Sequence, residues 1–124
     1  MAKFENFGSP KQVLGIVQGK IAVGAYVSDE GVTADALGHK IIPAGTPVGG
    51  ATSTLADETA VLTVANDATA QGILEFDVDV TDGKNTGTLI IHGVINELRL
   101  PEGVTISDEA KKAIPDVVFI KRNA

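Results

Sequence analysis

Cysteine and tryptophan are absent from the 124 residues, and histidine occurs only twice. Without a thiol there is no disulfide framework, no thiolate metal site and no cysteine nucleophile. The same absence leaves the redox compartment open. Basic charge is also short: 10 Lys plus Arg stand against 16 Asp plus Glu, a net charge of −6. Binding a phosphate backbone needs clustered positive charge. Lys3, Lys11 and Lys20 are scattered, and one Tyr with four Phe offers no stacking platform for single strands. No nucleic-acid partner is expected. No apolar run approaches the ~18 residues of a membrane-spanning helix. Met1 to Lys11 lacks the apolar centre of a signal peptide, so neither a membrane partner nor export by that route is expected. The glycines show no Walker or dinucleotide spacing. Gly45-Thr46-Pro47-Val48-Gly49-Gly50 follows an apolar strand but opens no helix.

What is present is aliphatic. Hydrophobic residues make up 44% of the chain and aromatics 4%, so Val, Ile, Leu and Ala carry the burial. Only 21% of residues are charged, and mean hydropathy is +0.18. A small soluble monomer usually needs a more charged skin. Either part of the surface is covered by copies of the chain or by a partner, or the core is simply rich in Ala and Val. Composition does not choose between them. Fourteen glycines and five prolines predict many turns and short elements.

The chain divides into an arm, residues 1–12, and a β-rich domain, residues 13–124. The arm is polar, is broken by Gly8-Ser9-Pro10, and carries two isolated phenylalanines, Phe4 and Phe7. Val13 to Val17 and Ile21 to Val27 read as two strands around a tight turn at Gln18-Gly19-Lys20. Ser28 to Lys40 is rich in turn residues. Ile41 to Val48 is a strand interrupted by Pro43 and Pro47, hence an edge or a corner. Gly49 to Glu58 reads as a polar, mobile loop, and Ala60 to Ala65 as a short strand. Gly72 to Val80 alternates best, with Leu74, Phe76, Val78 and Val80 on one face and Glu75, Asp77 and Asp79 on the other. Thr81 to Gly87 turns, and Thr88 to Ile95 returns as a near-continuous apolar strand. One helix is signalled: Ser107 caps, Asp108 and Glu109 suit its positive end, Lys111 and Lys112 its negative end, and Pro115 stops it. Val117 to Ile120 is the last strand. The fold class is mainly β, with one short helix near the carboxy terminus.

Chemistry is sparse. His92 sits in an apolar strand beside Gly93, as a hydrogen-bonded sheet histidine would, and no serine, carboxylate or second ligand stands at telling spacing. Asp77-Val78-Asp79-Val80-Thr81-Asp82-Gly83 invites a calcium reading. Counted as an EF-hand loop from Asp77, it places Asp82 where Gly is required and Thr88 where Glu is required. An exposed strand face ending in an Asp-Gly turn fits better. No enzyme, cofactor or metal site is expected.

Gly31 to Gly50, with its run His39-Lys40-Ile41-Ile42-Pro43-Ala44-Gly45-Thr46-Pro47, resembles a segment of the capsid decoration and head-fibre proteins of tailed bacteriophages. So do Gly72 to Gly83 and Ile91 to Ile95, and the closing order of Leu98-Arg99-Leu100-Pro101, Ala110 to Pro115 and a last strand. The likeness covers Val13 to Ile120 and extends, more distantly, to the lambda-type head decoration family. It implies a compact small β-barrel or β-tulip-like fold and a homotrimer bound to the major capsid protein. The site implied is the outer surface of the expanded capsid in the virion, reached from the host cytoplasm. It also implies that the arm makes capsid contact through Lys3, Phe4, Glu5, Asn6 and Phe7. Head-fibre proteins often continue into a fibrous tail, and this chain ends at Ala124, so decoration is favoured over fibre. Two rivals stand beside it: a β-rich phage tail or host-surface adhesion module, and a small enzyme using His92 with a carboxylate.

Overall fold

The structure is a computed structural model and describes residues 14–122. The predicted arm, with Lys3, Phe4, Glu5, Asn6 and Phe7, lies outside the described residues. Among the described residues, eight strands and one short helix follow in order: β1 (Leu14–Val27), β2 (Ile41–Ile42), β3 (Pro47–Gly49), β4 (Val61–Val64), β5 (Ala70–Leu74), β6 (Val78–Asp79), β7 (Asn85–Asn96), α1 (Asp108–Ala113) and β8 (Val117–Ile120). A single 3-10 turn, Glu97–Arg99, follows β7.

Five strands close a barrel. Their hydrogen-bonded order is β1-β4-β3-β5-β7, and β7 pairs back onto β1. The long seam is antiparallel and runs from Val27↔Asn85 to Leu14↔Ile95. The short seam joins β1 to β4 in parallel through only Tyr26↔Val61 and Val27↔Leu62. β8 adds in parallel to the far half of β7, and β2 pairs with β6 as a separate two-stranded ribbon.

Side chains alternate across a strand, and this splits the core in two. Val27, Val48, Leu62, Leu74 and Leu89 are fully buried and pack together inside the barrel with Ile42, Val78 and Val80. Ile73 and Ile90, the chain neighbours of Leu74 and Leu89, point to the other side. There they pack with Ile95, Ile106, Ala110, Ile114 and Val117. Helix α1 therefore serves as a lid over the outer face of β5 and β7. Ser107 caps it by accepting the Ala110 N–H, as its sequence predicts.

Several expectations need revision. The two strands expected at Val13–Val17 and Ile21–Val27 are one strand. The register slips between Ile16 and Ile21, so extra residues are absorbed as a bulge rather than as a hairpin turn. The proline segment is a corner, but β3 is internal, between β4 and β5. Pro47 is tolerated there because it is the first residue of its strand. The alternating run Gly72 to Val80 is not one strand. It bends after Leu74, so Glu75 is buried while Phe76 is 56% exposed.

Candidate functional site

The segment Gly31 to Gly50 forms a loop, the β2 strand and the entry to the barrel. The loop is built around Asp35. Its Oδ1 accepts the N–H groups of Leu37 at 2.8 Å and His39 at 3.0 Å. Its backbone N–H donates to the His39 carbonyl, and its carbonyl accepts from Gly38, whose φ of +83° suits glycine. These bonds hold the Asp35 carboxyl below its ordinary range, the His39 backbone N–H being the largest contribution. Leu37 is carried at the tip of this fixed turn, 81% exposed. Lys40 anchors the far end through an ion pair to Asp29 at 2.9 Å and a backbone N–H to the Thr81 hydroxyl.

The Gly49 to Glu58 segment, expected to be mobile, is tied down by a residue of β5. The Gln71 side chain donates to the Gly50 and Thr52 carbonyls and accepts the Thr54 N–H at 2.9 Å. Ser53 then turns the chain by accepting from Leu55, Ala56 and Asp57. The result displays a second aliphatic side chain, Leu55, at 65% exposure.

A groove of about 280 Å³ runs between β2, the entry to β3, the end of β4 and the turn before α1. Its apolar walls include Val32, Ile41, Pro43, Pro47, Val64 and Val104. Asn66 closes one end. Its Nδ2 donates to the Thr105 carbonyl, and its Oδ1 accepts the Ser107 N–H at 2.7 Å.

The titratable residues are dispersed. His39 lies in the Asp35 loop, and His92 stands exposed on β7 opposite Ile21. The acidic run is spent on the backbone: Asp77 Oδ1 accepts the Ala44 N–H, and Asp79 Oδ1 accepts both the N–H and the hydroxyl of Thr81. Among the described residues no group of three or more His, Asp or Glu is placed to hold a metal ion. The buried carboxylate of Glu75 meets Lys20 Nζ at 3.0 and 3.2 Å. Sequence reasoning missed this pair because 55 positions separate its members.

Neither the displayed leucines nor the groove was singled out from sequence. The Asp35 turn had a local signal, an Asp two residues before Leu37 and four before His39. No protein-family model matches the chain, and no curated protein matches it in sequence.

Proposed function

We propose that this protein is a structural decoration protein that binds the exterior of a mature bacteriophage capsid as a homotrimer and cements it. The observation that carries an assembly role is the pair of fixed loops that hold Leu37 and Leu55 out in solvent. Ordering a loop at an interface costs free energy at the moment of binding, and a loop already fixed avoids that cost. Large aliphatic side chains on such loops are suited to fill pockets of a partner. The resemblance of Gly31 to Gly50 and Gly72 to Gly83 to decoration proteins supplies the partner, the major capsid protein.

The mechanism is thermodynamic rather than chemical. A ligand that binds only the expanded lattice stabilises that lattice by mass action. In this reading Phe4 and Phe7 of the arm anchor to the shell. Burying one phenylalanine is worth roughly 1.5–3 kcal/mol, about ten- to a hundredfold in affinity.

Cosedimentation with purified expanded heads tests the reading. The full chain is expected to pellet with heads, and deletion of Ala2 to Pro10 to abolish pelleting while the melting temperature stays unchanged. Leu37→Asp should weaken binding without unfolding. Selective binding to tails or to host envelope instead of heads would overturn the capsid assignment in favour of an adhesion module.

A further inference from the structure

The barrel is held shut at β1 and β4 by two residue pairs, and before them no described strand pairs with β1 on its β4 side, while β7 continues along the other. Ser28 donates its N–H to the Leu62 carbonyl, so even-numbered residues at this end of β1 face β4. By the two-residue period of a strand, Ala22, Gly24 and Tyr26 turn their backbone groups to the same side. Tyr26 meets Val61. Among the described residues no strand pairs with β1 on that side at Ala22 or Gly24. The register to β7 is unbroken from Ala22 to Val27, so this stretch is in ladder geometry.

A cleft of about 330 Å³ lies in the fork where the two elements part, lined by Gly24, Ala25, Tyr26, Glu58, Thr59 and Thr86. Its chemistry is acidic and aromatic. Glu58 is exposed and makes no ion pair among the described residues. Asp57 beside it is held below the usual carboxylate range, chiefly by the Thr59 hydroxyl, so it stays ionised. Lys84 covers one side of the Tyr26 ring, 4.8 Å from its centroid. Setting aside Lys3, Glu5 and Lys11 leaves eight basic and fifteen acidic residues in 14–122, a net charge of −7.

We propose that the edge of β1 at Ala22 to Gly24, which no described strand covers, is a strand-addition site for an extended, basic segment of a partner protein, with Glu58 receiving its Lys or Arg side chain. Backbone groups of an open sheet edge give affinity to any extended chain, and side-chain pockets give the selection. Here the selecting group is an uncompensated carboxylate at the rim of the edge, on a domain whose overall charge repels acidic segments. The sheet face at Gly24 is open: a β-carbon there would meet nothing nearer than Thr86 Cγ2, at 4.0 Å. The site stands independently of the capsid assignment, since it requires only an extended basic strand.

The test uses the full ¹⁵N-labelled chain titrated with a blocked octapeptide of alternating Thr and Arg, and with its Thr-Glu counterpart. The expected result is shifted resonances and slowed amide exchange at Ala22 and Gly24 with the Arg peptide alone. Glu58→Lys should weaken that binding about tenfold or more. Gly24→Pro should abolish it, because the lost N–H points away from the β7 ladder. Absence of any change at Ala22 and Gly24, equal response to the Glu peptide, or undiminished binding by Glu58→Lys would each overturn the site. The Glu58 variant lies on an exposed turn, so its result stands even if Gly24→Pro impairs folding.

Discussion

Three aspartates share one device. Asp57, Asp67 and Asp79 each accept the N–H and the hydroxyl of a threonine two residues on, and the hydroxyl contributes most to lowering each carboxyl below its ordinary range. Asp29 is lowered as well, first by its hydrogen bond from Lys40. A carboxyl with a depressed folded-state pKa contributes stability that is fully present above its unfolded value, near 3.9. That stability is lost as pH falls through the folded value. The melting temperature is therefore expected to hold from pH 7 to about 5 and to decline below about 4. Asp67→Asn with Asp79→Asn keeps an accepting oxygen while removing the charge, and should flatten that decline; an unchanged acid slope would refute the attribution. Glycine acts at the same scale through contact. A β-carbon at Gly49 would lie 1.9 Å from the Thr69 carbonyl oxygen, whereas at Gly31 it would meet nothing within 4 Å and strain only a φ of +78°. Gly49→Ala should cost about 3 kcal/mol or more and Gly31→Ala about 1 kcal/mol, an order that denaturant unfolding can check.

Elements are joined by a few amide side chains, and Asn66 is the clearest. It links the turn after β4 to the strap before α1 through Thr105 and Ser107, while the Ser107 hydroxyl donates back to the Asn66 carbonyl. Asn66→Ala should destabilise the protein by about 1–2 kcal/mol and speed amide exchange in α1 before β7 responds. Asn96 does the same for the tail of β8. Only 1% exposed, its side chain donates to the Arg122 carbonyl and accepts from the Leu98 and Arg122 N–H groups. What was legible from sequence is what is local. Ser107, the acidic first turn and Pro115 define α1 within a few residues, and Val117 to Ile120 stands out as a strand by composition alone. The bend at Glu75 was hidden because alternation continues in the letters after it has stopped in space. Burial of Glu75 depends on Lys20, and rigidity of the Gly49 to Glu58 loop depends on Gln71, neither of them a sequence neighbour. The strand-addition edge was equally hidden, because it follows from how short the β4 contact with β1 is rather than from any motif. The displayed Leu37 falls between: its turn chemistry was readable, its exposure was not.

For the molecule as a whole, the barrel closes on unequal seams. The β1–β7 seam spans most of both strands, while the β1–β4 seam holds at Tyr26 and Val27 alone. Native-state hydrogen exchange should find the Ser28 amide, bonded to Leu62, opening at lower free energy than the amides of Val23 and Ala25 on the β7 side. The long seam also fixes an order in time. Val27 waits for Asn85 and Leu14 for Ile95, so the first of the described strands has no principal partner until nearly three-quarters of the chain exists. Pairings this distant in sequence are slow, because loop closure must precede any gain from contact. On the ribosome, β1 emerges as an apolar ribbon and, among the described residues, has only the two-pair contact with β4 through the synthesis of everything up to Lys84. A chain arrested there should remain unfolded and be readily degraded, and one released a dozen residues later should collapse. This barrel is thus assembled from its last long strand backward, and its yield in a cell is set as much by what shields β1 during that interval as by the stability of the finished fold.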